Sequence, residues 1–114
     1  MITPEEFTKA LSDPTRLRIL VLLTQVEELC VCQLTEALEM IQPKISRHLA
    51  VLRETEILLD KRKGQWIFYQ LHPELADWCH QILTALALGG KNTPPYQGDL
   101  EKIKSSKLPE GLCR

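Results

Sequence analysis

Two short apolar stripes crowd the middle of this chain: Leu34, Ala37 and Leu38, then Ile45, Leu49 and Leu52. Each repeats at the three- and four-residue spacing of an amphipathic helix. Pro43 stands between them, and proline suits the first turn of a helix, where the N–H it lacks would have no partner. The second helix therefore opens at Gln42-Pro43, leaving Glu39-Met40-Ile41 as the turn. Helices this short are marginal alone, so both stripes must be buried against a common core across that tight turn. The pattern is a helix-turn-helix.

The rest of the chain supplies the body around it. Phe7, Ala10 and Leu11 mark a first helix after Pro4. Ser12-Asp13-Pro14 breaks it and starts a second, with Asp13 as N-cap and Pro14 at the first helical position. That second helix, Arg16 to Leu23, is dense in apolar residues and is read as a core element with Arg16 and Arg18 on its outer side. The third helix begins near Cys30. From Leu58 to Leu71 the period changes: Trp66-Ile67-Phe68-Tyr69-Gln70-Leu71 is β-rich and Lys63-Gly64 supplies a turn, which predicts a two-stranded wing with a basic tip. Glu74 to Leu88 is helical, with Leu75, Cys79, Ile82, Leu83 and Leu86 on one stripe that a dimer partner would cover. Gly89-Gly90 ends it, and the Pro94-Pro95, Lys104-Ser105-Ser106-Lys107 and Pro109 segment reads as a loose tail. The expected fold is mainly α with a small β-hairpin: a winged helix-turn-helix of about five helices and one two-stranded wing. Residues 1–90 form the DNA-binding and dimerisation domain, and 91–114 a flexible C-terminal tail.

Formal net charge is −1, so the chain is no general nucleic-acid coat. Its distribution matters more. Lys44, Arg47, Arg53, Lys61, Arg62 and Lys63 lie between Gln42 and Gln65, opposed by Glu54, Glu56 and Asp60. Such a strip on a neutral body fits a site-specific binder of double-stranded DNA. Gln42, Lys44, Ser46 and Arg47 are the candidates for major-groove or phosphate contact, and Lys61, Arg62 and Lys63 for backbone or minor groove. His48 either touches a phosphate or packs between helices, and Arg53 serves equally well in an intrachain ion pair.

No apolar run is long enough to span a bilayer, and Met1-Ile2-Thr3-Pro4-Glu5-Glu6 lacks the pattern of a secretory signal. A cytoplasmic, membrane-free setting follows, in which thiols stay reduced. There Cys30-Val31-Cys32 is poorly spaced for a disulfide but well spaced for two sulfurs on one thiophilic ion. The plainer reading is two small core residues. Within a regular helix residues two apart project about 200° from each other, so shared ligation would unwind the first turn of the third helix. No catalytic constellation accompanies the thiols: His48, His72 and His80 fall on separate elements, and no Gly-rich phosphate loop is present. An enzyme is not expected.

Four segments in order carry a resemblance to the ArsR–SmtB family of winged-helix repressors, over Phe7 to about Leu88. They are Leu11-Ser12-Asp13-Pro14-Thr15-Arg16-Leu17-Arg18-Ile19-Leu20, Glu28-Leu29-Cys30-Val31-Cys32-Gln33-Leu34, Gln42-Pro43-Lys44-Ile45-Ser46-Arg47-His48-Leu49 and Gly64-Gln65-Trp66-Ile67-Phe68-Tyr69-Gln70-Leu71. The Glu-Leu-Cys-Val-Cys form resembles the arsenite-responsive branch. The resemblance implies a homodimer, joined through its first and last helices, on the operator of an arsenic-resistance operon. It further implies release when As(III) or Sb(III) binds Cys30 and Cys32 as inducer, with no cofactor required. Two departures stand out. No third cysteine follows the pair through Glu36, so a third sulfur would come from Cys113 or Cys79, unless a small thiol or a water-derived oxygen serves. Glu56 stands where relatives often carry the glycine that ends the reading helix, which would shift that boundary. The zinc-sensing branch uses carboxylates and histidines along the last helix, and Asp77 with His80 finds no second histidine between Glu74 and Asn92. The alternative is a repressor with the same cysteines as a thiol-redox switch.

Overall fold

The computed structural model describes residues 2–106. Helix α1 (Pro4–Leu11) opens on a capping box: the Thr3 hydroxyl accepts from the Glu6 N–H at 3.1 Å, and the Glu6 carboxylate accepts from the Thr3 N–H at 2.9 Å. Helix α2 (Pro14–Leu23) is capped by Asp13, whose carboxylate accepts from the N–H groups of Thr15 and Arg16 at 2.8 and 3.1 Å. A two-residue strand, β1 (Leu29–Cys30), leads directly into α3 (Val31–Leu38). The reading helix α4 spans Gln42–Glu54, followed by the hairpin β2 (Leu58–Lys63) and β3 (Trp66–Leu71) and by α5 (Asp77–Gly90). Phe7, Ile19, Leu20, Leu34, Ile45, Leu49, Leu52, Ile57 and Leu83 are all buried in one core beneath these elements. Among the described residues no helix is long and apolar enough to cross a membrane.

The winged helix-turn-helix is therefore as read, with two differences. The wing is the outer part of a three-stranded antiparallel sheet in the order β1-β3-β2, because Leu29 and Cys30 pair with Tyr69 and Phe68. There is also a sixth helix, α6 (Tyr96–Ser105), in the segment read as a flexible tail. Its physical cause is an ion pair: Asp99, 2% exposed, accepts two bonds from Arg18 at 2.7 and 2.8 Å. Arg18 is thus not on an outer face but under α6. Buried pairs of this kind are strongly destabilising to break from one side, by about 3–5 kcal/mol, because a lone charge stays behind. Gly90 lets the connection close tightly, since a Cβ there would lie 2.8 Å from the Tyr96 ring.

The reading helix ends where a glycine would end it, without one. The N–H of Ile57 bonds the Leu52 carbonyl and that of Glu56 the Arg53 carbonyl, both at 3.0 Å, a Schellman closure. Glu56 takes the left-handed conformation itself, at φ 62°, so the boundary does not move. A residue with a Cβ pays about 1–2 kcal/mol for that conformation, of which a glycine's greater freedom in the unfolded chain returns part. Glu56→Gly is accordingly expected to raise stability by about 0.5–1 kcal/mol, read as a higher urea midpoint at unchanged slope. A lowered midpoint would show that the Glu56 side chain contributes more than its backbone costs.

Candidate nucleic-acid interface and thiol cleft

Gln42, Lys44 and Arg47 stand exposed along the first turns of α4, with Ser46 half-buried between them, while Ile45, Leu49 and Leu52 face the core. Lys61 and Arg62 are exposed on β2, and Gly64, at φ 65°, turns the chain at the wing tip. Among the described residues no salt bridge holds Lys44, Arg47, Lys61 or Arg62. Lys63 differs. Its ammonium is paired with the Glu28 carboxylate and lies 5.0 Å from the centre of the Phe68 ring. Glu27 and Glu28 share a surface cleft with Lys61 and Lys63, so DNA would have to compete with these acids for the wing lysines. Arg53 pairs with Asp60 at 3.6 Å, tying the end of α4 to β2 rather than reaching outward.

His48 does not join the exposed face; it is 7% exposed and turned toward α2. Arg16 bonds the Ala10 carbonyl at 2.8 Å through Nε and approaches His48 Nδ1 at 3.4 Å through a terminal nitrogen. Arginine has only donors, which assigns Nδ1 as acceptor and places the ring proton on Nε2, 3.9 Å from Asp13 Oδ1. The signal for this was in the sequence: His48 lies three residues after Ile45 and four before Leu52, on the edge of the buried stripe. Burial pushes the His48 pKa down, Asp13 pulls it back, and the charges of Arg16, Arg47 and Lys44 leave it below the usual histidine value.

The cysteine pair sits at the junction of sheet and helix. Cys30 is buried, extended at φ −94° and ψ 169°, and is the N-cap of α3; Cys32 is half-buried in the first turn. The Gln33 side chain accepts from the Cys30 N–H at 2.9 Å, one arm of a capping box with sulfur where an oxygen normally stands. Because Cys30 precedes the helix, the 200° divergence expected of a regular helix does not apply to the pair. Cys30, Phe68, Cys32 and Trp66 pack as a small cluster separate from the main core. Beside it opens a cleft of about 460 Å³ lined by Cys30, Cys32, Gln42, Gln65, Trp66 and Ile67. The thiols, the start of the reading helix and the wing turn thus share one wall.

Cys79 is elsewhere. It is fully buried on α5 within the main core, and burial raises its thiol pKa. Cys79 thus packs in a different cluster from Cys30 and Cys32. Cys113 lies outside the described residues. The sequence reading missed β1 and Asp99: a two-residue strand has no periodicity to detect, and a lone aspartate in a polar segment gives no sign of its partner Arg18.

Comparison with known proteins bears on this arrangement. Residues 13–58 match the family described as bacterial regulatory protein, arsR family. Two arsenic resistance transcriptional regulators of Pseudomonas putida, ArsR1 and ArsR2, are each 55% identical over 83 residues. That is 73% of this chain, but 65% of ArsR1 and 72% of ArsR2, so the match spans just under two thirds of the first. Among solved structures, HlyU from Vibrio cholerae superposes with a TM-score of 0.65 at 30% identity, over 72% of this chain and 85% of its own. The AntR antimony-specific transcriptional repressor does so at 0.60 and 32%, over 73% and 71%.

The His48 geometry makes stability pH-dependent with a definite sign. A histidine whose folded pKa lies below its unfolded one stabilises fully above the unfolded value, near 6.5, and that contribution is lost as pH falls through the folded one. Between pH 7 and pH 5 the native protein should lose more stability than His48→Gln, measured as the difference between their denaturation midpoints. Parallel profiles would mean that His48 is not held neutral.

Proposed function

The chain belongs to the arsR family of bacterial regulatory proteins, and on that premise we propose that it is a metalloid-responsive transcriptional repressor rather than an enzyme. In this reading a homodimer binds operator DNA of an arsenic-resistance operon and releases it when As(III) or Sb(III) is captured by Cys30 and Cys32. The observation that carries the proposal is the shared cleft, whose wall the two cysteines form together with Gln42 at the start of the reading helix and Gln65 and Trp66 of the wing. The names of the Pseudomonas putida relatives and of AntR supply the choice of ligand.

Each half of the function has its chemistry. Gln42, Lys44, Ser46 and Arg47 enter the major groove or grip its phosphates, and Lys61, Arg62 and Lys63 hold the backbone beside it. The exposed Leu86 and Leu88 of α5 are covered by the second protomer. Trivalent arsenic exchanges hydroxyls for thiolates, each thiol proton leaving with a hydroxyl as water and no electrons transferred. Drawing the two sulfurs onto one atom shifts Cys30 relative to Phe68, its partner on β3, and so displaces the wing against α4. A hundredfold loss of DNA affinity needs only about 2.7 kcal/mol of preference for the displaced state. Such a repressor acts in the cytoplasm, where operator and reduced thiols coexist.

Fluorescence anisotropy on DNA from upstream of the gene tests the proposal. Arsenite should release the reduced protein, whereas peroxide should not; release by peroxide alone would replace the metalloid with a redox signal. Cys30→Ser and Cys32→Ser should each keep DNA binding and lose release. On the DNA side, Arg47→Ala should weaken binding by about tenfold and lower the slope of log affinity against log salt by about one. An unchanged slope would take Arg47 out of the interface.

A further inference from the structure

The turn between α3 and α4 sends its three side chains in three directions. Glu39 pairs with Lys102 of α6. Met40 goes inward, where its sulfur accepts from the Thr15 hydroxyl at 3.6 Å and its chain packs on the main core. Ile41 does neither: it is 71% exposed and, among the described residues, belongs to no apolar cluster. With Gln42, Pro43 and Lys44 it makes four exposed residues in a row, so the leading end of α4 stands clear of the body before Ile45 enters the core.

Ile41 is also the N-cap of α4, extended at φ −69° and ψ 149°, and its side chain caps nothing. Helices α1 and α2 show the alternative, with Thr3 and Asp13 accepting bonds from backbone N–H groups of the first turn. Isoleucine is among the poorest N-caps, and a serine in its place would add a capping bond. A single apolar residue on a surface is ordinary. One that forgoes a cap at the leading end of a reading helix serves neither the fold nor solubility. Residues that break local rules without a structural gain mark functional positions.

Its neighbours indicate what covers it. Lys44 and Arg47 are exposed cations that, among the described residues, no salt bridge holds, and Gln42 is an exposed amide. Such a surround suits a polyanion. In a helix-turn-helix the first residues of the second helix meet base edges in the major groove. The apolar group displayed there is the thymine C5-methyl, and the adenine paired with it offers the N6 and N7 pattern that an amide matches. Ile41 beside Gln42 thus presents both chemistries of a thymine–adenine pair.

We propose that Ile41 is a specificity-determining residue that packs on a thymine methyl in the major groove of the operator. The inference rests on the reading of α4 as the DNA-reading helix and adds a base preference to it: thymine at a fixed place opposite the start of α4. Because the contact is apolar it releases no counterions and leaves the salt dependence alone.

Deoxyuridine lacks only that methyl, so it tests the contact from the DNA side. Upstream DNA is prepared with thymine or with uracil throughout, and fluorescence anisotropy compares the full-length native protein with Ile41→Ala and Ile41→Ser. The native protein should prefer thymine DNA about fourfold for each α4 engaged, the contribution of one buried methyl group. Both variants should lose that factor, with the slope of log affinity against log salt unchanged. Ile41→Ser controls for folding, since a serine N-cap should hold or raise the urea midpoint. A thymine preference equal in the native protein and both variants would overturn the inference. So would a changed oligomeric state of Ile41→Ser in sedimentation, which would assign the side chain to a contact between copies. Absence of any binding by the native protein would strike the DNA-reading premise itself, and the inference with it.

Discussion

Everything that couples in this molecule passes through the pairing of a two-residue strand with the wing. Leu29 and Cys30 lie opposite Tyr69 and Phe68, and the next residue already begins α3. That arrangement makes Cys30 three things at once: a sheet residue, the N-cap of the first helix of the helix-turn-helix, and one of two neighbouring cysteines. Backbone hydrogen bonds between strands resist sliding far more than side-chain contacts do, because each broken bond leaves polar groups to be satisfied elsewhere. A pull on the Cys30 sulfur is therefore passed to β3 as well as to α3. Had Cys30 been the first residue of an ordinary helix, the same pull would have been absorbed locally by fraying.

Helix α3 is consequently gripped at both ends. Its start is tied to the sheet by β1 and capped by Gln33; its end is closed by Glu39 in a left-handed conformation, with that carboxylate paired to Lys102 of α6. Between them the stripe Leu34, Ala37 and Leu38 fills the core against α4. A helix of eight residues has little stability of its own, so its position is set by these attachments. Cys30 and Cys32 thus stand at one attachment of α3 and the C-terminal helix α6 at the other.

The elements that were legible from the chain are those whose signals are local. Pro4 ahead of Phe7, Ala10 and Leu11, and Asp13 with Pro14, mark helix starts in nearby residues, and both helices form. The two amphipathic stripes around Pro43 specify a helix-turn-helix by their periodicity, and the β-rich composition after the Lys63-Gly64 turn specifies the wing. What was not legible depends on a distant partner. Asp99 orders α6 only because Arg18, 81 residues away, is there to meet it. Polar composition and two prolines otherwise argue for a loose segment. Basic neighbours in sequence point His48 toward the outer face, yet it is the Asp13–Arg16 end of α2 that claims it. At the thiol site the residue spacing is informative but helix periodicity misleads about its geometry, since the helix starts one residue later than Cys30.

That one residue changes the energetics of the proposed switch. A thiol inside a helix could meet its neighbour only by breaking helical hydrogen bonds, each protected by the next. A thiol at the N-cap is attached by the weakest bonds the helix has. Capping interactions contribute about 1 kcal/mol, so moving the Cys30 sulfur and releasing Gln33 costs about that much in each protomer. In the proposed homodimer two such caps would rearrange, about 2 kcal/mol in all. In the proposed function, bonds from sulfur to arsenic, far stronger than this, would drive the change. In the same proposal, before the ligand arrives these caps hold α3, and with it the reading helix, in the DNA-binding position. A switch built at a helix end is therefore both tight at rest and easy to move, a combination that an interior position could not provide.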